Sequence, residues 1–159
     1  MRRTKFLLAA GLLCCLAFAQ AVKPNFSGTW KLNNGRTTPY GPADRVYTET
    51  IEQTGPTITV TTKSEGVTNV LDGTFHMNGK PHIENVERGL YRYTKVSWEN
   101  ATLVFEITDK DSKKDTAKVS RYVRESWSLS PDGTVLTKFR RTAVKGKPIV
   151  DEKYVFDKQ

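Results

Sequence analysis

The chain has 159 residues, 25 of them lysine or arginine against 17 acidic, with a formal net charge of +8 and two cysteines. That length suits one domain able to bury a core without covalent staples. Both cysteines, Cys14 and Cys15, sit in the opening stretch, so the rest of the chain can form no disulfide and supply no thiolate nucleophile or zinc ligand.

Residues 1–21 read as an export signal. Arg2, Arg3 and Lys5 precede an apolar run from Phe6 to Phe18, too short to span a bilayer, and Ala19-Gln20-Ala21 is a small-x-small cleavage site. The mature chain is expected to start at Val22, with cleavage after Ala17-Phe18-Ala19 as the alternative. Thr4 and Lys5 after the arginine pair argue for general secretion, and Leu13 and Cys14 are poor neighbours for a lipidated cysteine. Without Arg2, Arg3 and Lys5 the 25 basic residues become 22 against 17 acidic, a charge of +5. These charges are spread along the chain. Nucleic acid is therefore not the expected partner, and only weak attraction to anionic surfaces is.

From Phe26 the pattern is that of half-buried strands. Phe26, Gly28, Trp30 and Leu32 share one face and Ser27, Thr29 and Lys31 the other. Trp30 is the expected core anchor, and Gly28 leaves room beside it for a close approach or a sharp bend. Asn33 to Pro42 is dense in turn formers and predicts a loop over the mouth of a barrel. Strands are expected over 45–53, 57–63 and 67–78, with Leu71, Gly73, Phe75 and Met77 on one face. Lys80 to Gly89 is polar and reads as a connection. Leu90 to Trp98 and Ala101 to Asp109 form a hairpin, 116–129 and 134–144 a long one over Pro131-Asp132-Gly133, and Pro148 to Phe156 is the last strand. About nine strands joined by tight turns predict an all-β, antiparallel up-and-down barrel over 22–159, with a β-sandwich as the alternative.

The phrase Phe26-Ser27-Gly28-Thr29-Trp30-Lys31-Leu32 resembles the opening strand of the calycin superfamily, the lipocalins and fatty-acid-binding proteins. With Asn33 it is similar to small secreted bacterial lipocalin-like proteins, as are Trp127 to Thr137 and Tyr154 to Gln159. The resemblance implies a barrel with a lid after the first strand. It also implies a late arginine stacked on the opening tryptophan, which is Arg140 or Arg141 against Trp30. The Arg-x-Tyr carboxylate motif of the fatty-acid-binding branch is not matched, since only Arg92-Tyr93 and Arg121-Tyr122 occur.

One strand breaks its own pattern. Ala117, Val119, Val123, Trp127 and Leu129 share a face with Arg121 and Glu125, which at four residues apart are about 13 Å from each other. Each needs a separate partner if buried. Either the two line a polar cavity, with Arg121 on an anionic ligand group, or a bulge turns both to solvent. Arg92 lies in phase with Thr94, Val96 and Trp98. The candidate ligand-binding set is therefore Arg121, Glu125, Trp127, Arg92, Trp98 and Phe75, and the candidate structural set is Phe26, Gly28, Trp30, Arg140 and Arg141.

His76 and His82, the chain's two histidines, flank a turn and read as surface residues. Asp109 with Asp111 and Asp151 with Glu152 lie at strand ends, where solvated charge is the default. No nucleophile elbow or Ser-His-Asp arrangement is present, so no catalytic residue, metal or cofactor is assigned. The expected role is non-covalent binding of a small hydrophobic or amphipathic molecule in the barrel. A filled barrel whose surface binds protein or polysaccharide is the alternative.

Overall fold

The computed structural model describes residues 22–38, 47–64, 71–87, 89–114 and 116–159, in which ten antiparallel strands form one sheet. In chain order these are β1 (Gly28–Leu32), β2 (Tyr47–Thr54), β3 (Thr57–Ser64), β4 (Gly73–His76) and β5 (Pro81–Glu87), followed by β6 (Leu90–Glu99), β7 (Thr102–Lys110), β8 (Val119–Leu129), β9 (Val135–Val144) and β10 (Val150–Lys158). The expected export signal, the strand starts before 47 and 71, and most of the loop after β1 lie outside the described residues. A 3-10 turn at Asn34–Arg36 opens that loop.

Strands adjacent in sequence pair with one another except β4 and β5, and β1 lies between β2 and β10, so the sheet rolls on itself with β4 and β5 as its ends. The ends meet where the Gly79 N–H donates to the Val96 carbonyl at 2.9 Å. One continuous sheet thus makes a nearly closed barrel rather than the two layers of a sandwich. Two-residue turns do much of the joining. At Asn100, φ is 55°, a left-handed conformation that asparagine tolerates better than most side chains.

Lys80 to Gly89 is not merely a connection, because β5 occupies Pro81–Glu87 and all its residues are exposed. It pairs with β6 on one side and carries no apolar face, so its backbone bonds alone define it and no hydrophobic period announces it.

One end of the barrel, hereafter the floor, holds the apolar core. Phe26 stacks on Trp98 at 6.0 Å between ring centres and meets Trp127 edge-on at 5.8 Å. Phe105 lies 4.5 Å from Trp127 and 5.8 Å from Phe75, and the Trp30 indole donates to the Phe26 carbonyl at 2.8 Å. Aromatic contacts of this geometry add to the area term of burial.

Gly28 has φ of 146°, and a Cβ there would lie 3.0 Å from Lys158 Cε. Lys158 in turn sits over Trp30, its ammonium 5.4 Å from the ring centre. Gly28→Ala is expected to destabilise the fold by more than about 1 kcal/mol, since alanine pays for a conformation glycine adopts freely. Urea denaturation measures it, and an unchanged midpoint would contradict the backbone strain expected of a side chain at this φ.

Candidate functional site

The opposite end, the mouth, is where the interior turns charged, and cross-strand register is the reason. Along β8 the inward positions run from Trp127 at the floor through Glu125 and Val123 to Arg121 at the mouth. The bulge between Asp109 and Lys110 lies beyond Arg121, so neither charge is turned out, and Glu125 is fully buried.

Glu84, Arg92, Asp109 and Arg121 stand opposite one another across β5, β6, β7 and β8. Arg92 grips Asp109 with two donors, Nε to Oδ1 at 2.8 Å and Nη2 to Oδ2 at 3.1 Å. Arg121 reaches the same carboxylate only as a distant ion pair, Nη1 to Oδ2 at 3.9 Å.

A second row, Glu125, Arg140 and Glu152, crosses β8, β9 and β10. Arg140 Nε donates to Glu125, which also accepts the Trp127 indole N–H at 2.6 Å. Glu152 accepts the Tyr154 hydroxyl at 2.7 Å. Burial by itself raises the Glu125 carboxyl, but the charges of Arg140 and Lys138 outweigh it and hold the group below the usual carboxylate range.

Deeper still, Lys138 spans the barrel to Glu49 of β2, both nearly inaccessible to solvent. Its ammonium lies 3.7 Å from the centre of the Trp127 ring. The Tyr47 hydroxyl donates to Glu49 at 2.8 Å, and burial followed by the Glu49 charge pushes that phenol well above its ordinary value.

Of the candidate residues, Arg92, Arg121 and Glu125 come together in the charged half. Phe75, Trp98 and Trp127 lie instead against the floor, packed on Phe26 and Phe105. The pairing of Arg140 or Arg141 with Trp30 is not formed: Lys158 covers Trp30, Arg140 turns inward to Glu125, and Arg141 points outward to Asp151 at 2.7 Å. Arg140 and Arg141 sit on β9, which does not adjoin β1, whereas β10 does.

Asp109, Glu49, Lys138 and Glu152 also face the interior, outside the candidate set. Asp109 is buried, while its sequence neighbour Asp111 is exposed. The signal was present in each case: Asp109 is in phase with Phe105 and Ile107, Glu49 with Ile51, Lys138 with Leu136, and Glu152 with Tyr154 and Phe156. His76 and His82 are both exposed.

Arg121 differs from the other inward charges. Its side chain is 28% exposed, and among the described residues it makes no hydrogen bond. Burial, and the charges of Arg92 and Arg140 beside it, push its guanidinium below the ordinary value, with Asp109 and Glu152 offsetting part of the effect. An arginine does not escape by losing its proton, so the side chain stays charged at this half-buried position.

The class these features define is a nearly closed up-and-down β-barrel of lipocalin-like fold, apolar at the floor and charged at the mouth. Among solved structures the chain is similar to secretory abundant heat soluble protein 4 from Ramazzottius varieornatus. The TM-score is 0.53 at 12% identity, covering 84% of this chain and 94% of that one. At that identity the likeness is one of fold. No protein-family profile and no curated protein sequence matches the chain.

Proposed function

We propose that the protein is an exported carrier that holds a small, partly apolar molecule with one anionic group in the mouth half of its barrel. The single observation that carries this reading is Arg121, an inward cation without a hydrogen-bond partner among the described residues. Ile107 and Val123, opposite each other across β7 and β8, are apolar side chains next to it. Export rests on the basic start, apolar run and Ala19-Gln20-Ala21 site of the first 21 residues.

Arg121→Met keeps the apolar stem and removes the charge. Stability is expected to stay level or rise, because the desolvation cost of the guanidinium goes with it. Affinity for an anionic ligand is expected to fall tenfold or more, about 1.4 kcal/mol. The ligand is found by exposing the protein to a mixture of lipids and aromatic metabolites, washing, and recording native mass spectra. Unchanged affinity in the variant removes Arg121 from the site.

A second reading has its own support. The floor is filled by Phe26, Trp30, Phe105 and Trp127, and the charges midway up are paired with each other. Retention of nothing in the mass spectra would favour this reading, in which the outer surface does the binding.

A further inference from the structure

Two hairpin loops at the mouth lie side by side, 111–118 between β7 and β8 and 145–149 between β9 and β10. The second loop is tied to the start of β8, just past the first loop, where the Lys145 N–H donates to the Ser120 carbonyl at 3.0 Å. Together they present Lys113, Lys114, Lys118, Lys145 and Lys147, all exposed. None of these forms an ion pair with a described residue, and Lys113 merely lies 5.3 Å from the centre of the Tyr91 ring. Asp111 is turned to the loop itself, accepting the Lys118 backbone N–H at 3.1 Å. Asp115, outside the described residues, is the other acid of the first loop.

Two aliphatic side chains stand out of the same surface, Val119 at 45% and Ile149 at 62% exposed. The floor end is different. Its turns at 54–57, 77–80, 99–102 and 130–134 carry Lys80, Glu99 and Asp132 as their only charged residues, with Lys23 and Lys158 of the flanking segments beside them. Lysines that are scattered in sequence are thus gathered by the up-and-down topology at one end.

We propose that this face docks on an anionic lipid bilayer, its lysines on the phosphate headgroups and Ile149 and Val119 in the boundary between headgroups and acyl chains. Charge alone would suit any polyanion, but only a bilayer interface also takes up exposed aliphatic side chains set among lysines. Docking in this pose turns the barrel mouth toward the lipid. The inference does not depend on Arg121 holding a ligand.

The test uses the chain from Val22, which contains all ten strands. It is sedimented with phosphatidylcholine vesicles, with vesicles in which about a third of the lipid is phosphatidylglycerol, and separately titrated with soluble polyphosphate. Binding is expected to the anionic vesicles, weakening as salt rises. Lys114→Glu, Lys118→Glu and Lys147→Glu together are expected to weaken it at least a hundredfold, at about fivefold per lysine charge removed. Ile149→Ser with Val119→Thr is expected to weaken vesicle binding severalfold and leave polyphosphate binding unchanged. Circular dichroism and thermal unfolding check that each variant retains the barrel. Equal binding to neutral vesicles, indifference to the lysine changes, or indifference to the aliphatic changes would overturn the proposal. Binding to polyphosphate without binding to vesicles would overturn it too, assigning the face to a soluble polyanion.

Discussion

Trp30→Ala is expected to destabilise the barrel by roughly 3–5 kcal/mol, the range for truncating a large buried aromatic. Trp30 is fully inaccessible, so the whole indole volume becomes a cavity unless neighbours collapse into it. Collapse is restricted, because Phe26 is held between Trp98 and Trp127 and cannot move without disturbing both. The change also leaves the Phe26 carbonyl without its indole donor and takes away the ring under Lys158. Guanidinium denaturation at equilibrium measures the loss. A value under about 1 kcal/mol would show that the floor is not organised around this residue.

Glu125→Gln is the second change expected to have a large effect, again roughly 3–5 kcal/mol, for a different reason. The substitution preserves shape but leaves the half-buried Arg140 without the carboxylate it donates to, and places one fewer negative charge beside Lys138. Adding Arg140→Met to Glu125→Gln is expected to recover much of the loss, since a buried pair removed whole costs far less than one partner stranded. The pair also makes an acid-dependent contribution. Glu125 is held below its ordinary value of 4.5 in the folded state, so its stabilisation is complete above that value. It disappears as pH falls through the lower folded value. Wild-type stability is therefore expected to drop below about pH 4.5 more steeply than that of Glu125→Gln. Parallel curves would mean that Glu125 is not the group responsible.

Much of this barrel can be read from local pattern. The two-residue alternation in β1, β7 and β8 identifies Trp30, Phe105 and Trp127 as inward, and the turn residues at 55–56, 78–79 and 131–133 place the reversals where they occur. The interruption of the β8 apolar face by Arg121 and Glu125 marks the charged half. The same alternation, applied to Glu49, Asp109 and Lys138, would have placed them inside as well. Position at a strand end is a weaker guide than phase with buried neighbours, because it is the pleat that sets which way a side chain points.

What alternation cannot supply is the partner. Glu49 and Lys138 are 89 residues apart and Glu125 and Arg140 are 15 apart, and each pair meets through the barrel's closure or its strand register. Lys158 rather than Arg140 or Arg141 covers Trp30 because β10, and not β9, is the neighbour of β1. The exposed strand β5 has no hydrophobic period to reveal it, and the lysines at the mouth look dispersed until two hairpins bring their loops together. The sequence by itself determined which residues face inward and where the chain turns, since both follow from backbone geometry over a few residues. Tertiary structure alone decided which charges are neutralised by close pairs, which one has only a distant partner, and where the surface charge collects, since those depend on pairing across strands that no local pattern encodes.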